Sequence, residues 1–123
     1  MANEIYTSIQ LRVVNGNLNI LKQLSPRITM NTNTHSCGSQ VISTGTHEAL
    51  SISGDVAAKG VCYIVNLDTT NYVQYGVDLS GTFIPFGKLY PGEVNLFRLD
   101  PAVTPYFLAN TASVKVDYVV LSH

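Results

Sequence analysis

The chain has 123 residues, 46 % of them apolar, which is room for one hydrophobic core and little more, so a single domain spanning 1–123 is expected. Net charge is −1, and the seven Lys and Arg are scattered, so no basic face for nucleic acid is expected. No stretch is long and apolar enough to cross a bilayer, and the start lacks the basic-then-apolar order of a signal peptide, so neither membrane nor export is expected.

From the N-terminus, Glu4 to Val14 alternates, with Ile5, Ile9, Leu11 and Val13 on one phase. That is a strand with one buried face. Asn15-Gly16 predicts a two-residue hairpin turn, with Leu18 and Ile20 inward on the return. The phase slips at Leu21, and Pro26 follows Leu24, so a bulge or the end of pairing is expected there. Arg27 to Asn33 alternates again, with Ile28 and Met30 opposite Thr29, Asn31 and Asn33. Asn33 to Ser39 reads as a polar turn. Gln40–Thr44 and Ala49–Ile52 read as short strands, and His47–Ile52 is too short for a stable helix.

Val61 to Leu67 is the most apolar run and predicts a central strand covered on both faces. Asp68-Thr69-Thr70-Asn71 is a turn whose side chains fold onto local backbone. Tyr72–Val77 and Thr82–Phe86 flank a Ser80-Gly81 turn, and Pro85 marks an edge or a strand end. Tyr90-Pro91-Gly92-Glu93 has the Pro-Gly order of a type II turn. Val94–Leu99, Tyr106–Ala109 and Ser113–Leu121 complete the pattern. In the last, Val114, Val116, Tyr118 and Val120 share a face, while Val119 and Leu121 make the other face apolar too. A strand apolar on both faces points to a covering second chain. Nine to eleven short strands without a helix predict an all-β, single-domain antiparallel β-sandwich, jelly-roll-like.

Charged residues make up only 12 %, against about 25 % in ordinary soluble domains. Such a surface is either packed against something or kept wet by neutral Thr, Ser and Asn, and both readings stand. His35, Cys37 and His47 are the one cluster of ligand-type residues, but they lack the paired spacing of a zinc site. A Cys–His nucleophile built from them lacks a visible orienting carboxylate. Cys62, inside an apolar run, reads as a buried thiol, and a Cys37–Cys62 disulfide is not expected. The acidic residues at turns are backbone acceptors before they are catalysts. No catalytic, cofactor-binding or metal-binding residue is assigned, and no enzyme is expected. Tyr72, Tyr75 and Tyr90 beside turns offer either a recognition surface or ordinary sandwich ends. The interface residues named from sequence are Arg12, Arg98, Val116, Tyr118, Val119 and Leu121.

Three segments of the C-terminal half share one grammar: Asn66-Leu67-Asp68 with Asn71-Tyr72-Val73, Leu89-x-Pro91-Gly92-Glu93 leading into Leu96-Phe97-Arg98-Leu99, and Ala109-Asn110-Thr111-Ala112. With Met1-Ala2-Asn3-Glu4-Ile5 and Val14-Asn15-Gly16-Asn17, they resemble a group of small β-sandwich proteins encoded among the structural genes of tailed bacteriophages. The resemblance carries no functional residue across. It implies a virion component made in the host cytoplasm: a capsid cement or decoration protein on the capsid exterior. Its partners would be itself, as a homotrimer, and the major capsid protein. A receptor- or glycan-binding module of a head or tail fibre is the alternative.

Overall fold

A computed structural model describes residues 3–30 and 32–123, with the side chains of Asn3 and Glu4 left aside. Asn31, expected on a polar strand face, lies outside the described residues. So do Met1 and Ala2, part of the start that resembled phage proteins. The fold is all-β and antiparallel, with twelve strands and no helix among the described residues. The chain divides into two compact units, 1–33 and 34–123. Each unit has its own strand pairing, where one domain over 1–123 is expected from the sequence.

In the first unit, β1 (Asn3–Tyr6) pairs with β4 (Arg27–Met30), and β2 (Ile9–Asn15) pairs with β3 (Leu18–Leu24). The expected single strand from Glu4 to Val14 is thus split at Thr7-Ser8. The step lies opposite Pro26, which has no N–H to extend a ladder. Thr7 instead donates both its N–H and its Oγ1 hydroxyl to the Pro26 carbonyl, at 3.4 and 2.8 Å. The hairpin turn is Gly16-Asn17, one residue later than expected. Gly16 alone has positive φ there (58°), which makes the turn type II′. The expected break at Leu21 does not occur. Pairing runs unbroken to Leu24, and Leu21 simply falls on the opposite face.

The second unit is a β-sandwich. Its first sheet has the order β10 (Val94–Arg98), β7 (Lys59–Asn66), β12 (Val114–Ser122), β5 (His35–Ile42). Its second sheet has the order β6 (Glu48–Ala49), β11 (Tyr106–Ala109), β8 (Val73–Leu79), β9 (Thr82–Leu89). The core lies between them. Ile64, Val116 and Val120 come from the first sheet, and Val73, Leu89 and Phe107 from the second. Each such side chain contributes about 1.5–3 kcal/mol by leaving water.

Local chemistry sets the turns. Ser80 and Gly81 both have positive φ (52° and 89°), giving the type I′ turn that joins β8 to β9. Gly92 has φ 80°, and Glu93 N–H donates to the Tyr90 carbonyl at 3.0 Å, as a type II turn requires. Pro85 sits on β9, an edge strand, as expected.

β5 is the main surprise. The expected polar turn at Asn33–Ser39 is instead largely strand, and Cys37 lies on that strand. Three of its four inward positions are small or polar, Ser36, Gly38 and Gln40; only Ile42 at its end is apolar and buried. Gly38 lies opposite Tyr118. The hydroxyl end of Tyr118 lies over Gly38, 3.7 Å from where a Cβ would stand, and its hydroxyl donates to the Ser51 carbonyl at 2.6 Å. The expectation that β7 is covered on both faces also fails, because Tyr63 is 38 % exposed on the outer side.

Candidate interaction surfaces

The outer face of the β10-β7-β12-β5 sheet is open and largely apolar. The register places Leu96, Tyr63, Val119 and Cys37 in one row across all four strands. Val94, Val65, Asp117 and Ser39 form the adjoining row. Val94 is 54 % exposed, and Ser39 Oγ donates to Asp117 Oδ1 at 3.5 Å.

Of the interface residues named from sequence, Val119, Leu121 and Arg98 project from this face. Val116 and Tyr118 do not. They point into the core, 0 % and 6 % exposed, because strand alternation places them on the same side as Val114 and Val120. These two are corrected from interface to core. Arg12 is exposed on β2 in the first unit. Tyr63, Val94 and Leu96 were missed from sequence. The available signal was that β10 is apolar on both phases, Val94 and Leu96 alternating with Phe97.

The first unit has a second open surface. On one face of the β2-β3 hairpin lie Ile9, Leu11, Val13, Leu18, Ile20 and Leu24, interrupted by Asn15 and Lys22. The other face carries Gln10, Arg12, Asn19 and Gln23 alongside Val14 and Leu21. Leu24 is 71 % and Leu11 56 % exposed, and no residue of this unit whose side chain is described is buried. A cleft of about 230 Å³ opens on the aliphatic face between Ile9, Leu11, Lys22 and Leu24. Such a face on a two-stranded ribbon is marginally stable alone.

The candidates for chemistry are dispersed. His35 and Cys37 share the outer side of β5, whereas His47 stacks on Phe83 with ring centroids 5.4 Å apart and meets Asp78 Oδ1 at 2.6 Å through Nε2. Among the described residues no group of three His, Cys, Asp or Glu is placed to hold a metal ion. Both cysteines are free thiols. Cys62 is buried as expected, and burial pushes its pKa up to about 12.

The tyrosines separate. Tyr75 is only 8 % exposed; its ring meets Phe86, Phe97 and Phe107, and its hydroxyl accepts from Asn95 Nδ2 at 2.8 Å. Of the two readings open for it from sequence, Tyr75 thus follows that of an ordinary sandwich end. Tyr72 and Tyr90 remain together, 5.8 Å apart, with Lys88 Nζ 4.2 Å from the Tyr72 ring centroid. Lys88, Glu93 and Asn95 line an adjacent cleft of about 510 Å³.

Comparison of the chain with protein-family models, with curated proteins and with solved structures finds no match.

Proposed function

We propose that this chain is a non-enzymatic structural subunit of a tailed-phage virion, most simply a capsid cement or decoration protein. One observation carries this reading: the sandwich completes its core internally and still leaves the Leu96–Tyr63–Val119 row uncovered on a sheet face. Contiguous exposed apolar patches mark sites of association. The low charge of the chain supports the same reading.

The strand order supports winding as a jelly roll. Only β8 to β9 stays within one sheet, and every other connection from β5 to β12 crosses to the opposite sheet. In this proposal the subunits form a homo-oligomer, a trimer by resemblance, on the capsid exterior after synthesis in the host cytoplasm. They bridge copies of the major capsid protein. Binding only to the assembled shell stabilises it by mass action.

Quantitative mass spectrometry of purified virions tests the place in the particle. Hundreds of copies are expected, and about a dozen or fewer would assign the chain to neck, tail or fibre. Particles lacking the protein should release DNA at a lower temperature, and unchanged release counts against a cementing role.

A second reading, a glycan-binding module of a fibre, is favoured by the Tyr72–Tyr90 pair beside the Lys88–Glu93 cleft. A glycan array with no hits, together with capsid-wide copy number, removes it.

A further inference from the structure

β9 and β10 are edge strands of opposite sheets, joined by the Tyr90–Glu93 turn. The cleft of about 510 Å³ is lined from both, by Lys88 and Leu89 of β9 and by Val94 and Asn95 of β10. Its size falls within the roughly 300–1,000 Å³ of small-molecule sites.

The chain brings a polar pair to this edge. Asn95 alternates with the outward Val94 and Leu96, so it stands with Phe97 on the inward phase of β10. Tyr75 comes within reach of it because position 87 is glycine: a Cβ there would overlap Tyr75 Cζ and the hydroxyl oxygen. Asn95 Nδ2 donates to that hydroxyl at 2.8 Å, which leaves the phenol O–H to donate and Asn95 Oδ1 to accept. Glu93 adds a fixed acceptor. Its Oε1 takes the Tyr90 N–H at 2.7 Å, and Oε2 stays open. Lys88 adds a donor. Its Nζ stands 4.2 and 5.7 Å from the ring centroids of Tyr72 and Tyr90, and it makes no ion pair among the described residues.

These groups define a ligand class. An anion would meet Glu93 as well as Lys88, and a cation the reverse, so the cleft favours neither sign. Donors and acceptors stand together, which suits hydroxyl groups, since each O–H both donates and accepts. The tilted Tyr72–Tyr90 pair beside the cleft offers ring faces to C–H groups. A neutral molecule dense in hydroxyls, with C–H faces between them, is a sugar.

We infer that this cleft binds a neutral sugar ring, its hydroxyls bonded to Tyr75, Asn95, Glu93 and Lys88 and one face laid against the Tyr72–Tyr90 pair. The inference rests on the glycan-binding reading and adds to it the contacting groups and the charge class of the glycan. It requires only that this edge face solvent, on a capsid shell or on a fibre.

Full-length protein on a printed array of neutral, sialylated, uronic-acid-containing and sulfated glycans tests it, followed by calorimetric titration of the strongest hit. Neutral glycans are expected to bind. Tyr75→Phe removes the phenol donor, and Glu93→Gln keeps the acceptor for the Tyr90 N–H while turning the open oxygen into an amide donor. Each should weaken binding by about tenfold or more with the melting temperature retained. Should Tyr75→Phe fail to fold, the exposed Glu93→Gln decides alone. Hits confined to acidic glycans overturn the inference, and so does a neutral hit that both folded variants bind like wild type; either result leaves the glycan-binding reading standing on another surface. An empty array overturns the inference and, with capsid-wide copy number, the fibre reading as well.

Discussion

Asn66 shows how much of this fold depends on single side chains. It is the one fully buried polar residue among the core positions described, and its groups are matched. Nδ2 donates to the carbonyls of Asn71 and Leu89 at 2.9 and 3.0 Å, and Oδ1 accepts from the Asp68 N–H at 2.8 Å. Its own backbone joins the turn before β10, since Gly92 N–H donates to the Asn66 carbonyl and Asn66 N–H donates to the Glu93 carbonyl. One residue therefore ties the β7 end to the 68–71 turn, to β9 and to the 90–93 turn. Asn66→Ala strands the buried Leu89 carbonyl and is expected to cost about 3 kcal/mol in urea unfolding. A loss under about 1 kcal/mol would mean that the turns hold themselves. Asp68 beside it gives a pH prediction. The N–H groups of Asn71 and then Thr70 hold its carboxyl below the usual carboxylate range. A lowered folded pKa stabilises the native state above the unfolded value, near ~3.9, and that contribution disappears as pH falls through the folded value. Wild type should thus exceed Asp68→Asn in melting temperature at neutral pH, and the two curves should converge in acid. A constant gap would assign the difference to something other than the charge.

Strands are legible in this sequence where both limits carry a mechanism. β8, β9 and β10 are bounded by Asp68–Asn71, Ser80-Gly81 and Pro91-Gly92, and each of these turns forms where its residues require. β5 is not legible, because only Ile42 of its inward positions is apolar; Ser36, Gly38 and Gln40 share that side, and Gly38 is met by the ring of Tyr118, far away in sequence. The same limit applies to the open sheet face. Val119 and Leu121 can be read as a second apolar phase, but their alignment with Tyr63 and Leu96 is a matter of register between strands far apart in sequence. Register also explains Gly76. The β8–β9 ladder shifts between Tyr75 and Gly76, which places Gly76 opposite Pro85. A Cβ at Gly76 would overlap the Ile84 carbonyl oxygen and lie 2.7 Å from Pro85 Cα. Both are backbone atoms of the neighbouring strand, so no side-chain rotation relieves the clash. Gly76→Ala is expected to cost about 3 kcal/mol or more, with faster amide exchange along β9. Normal exchange protection there would show that the edge strand shifts freely, and the bulge would then be a weak constraint.

At the scale of the whole chain, apolar burial is unevenly shared. Every buried residue among those described lies in 34–123, and the core runs from Ile42 to Val120. The hairpin unit has regular pairing but no buried side chain described. Backbone hydrogen bonds in a two-stranded ribbon do not offset the entropy of ordering it, because the unfolded chain bonds to water equally well. The sandwich should therefore fold without the hairpin, and the hairpin should not fold without a cover. A 34–123 fragment should melt cooperatively within about 5 °C of the full-length chain. A 1–33 peptide should give a circular-dichroism spectrum without strand signal, and a clear strand signal would show that its pairing suffices alone. If the fragment melts far lower or without cooperativity, the sandwich depends on the first 33 residues for its fold.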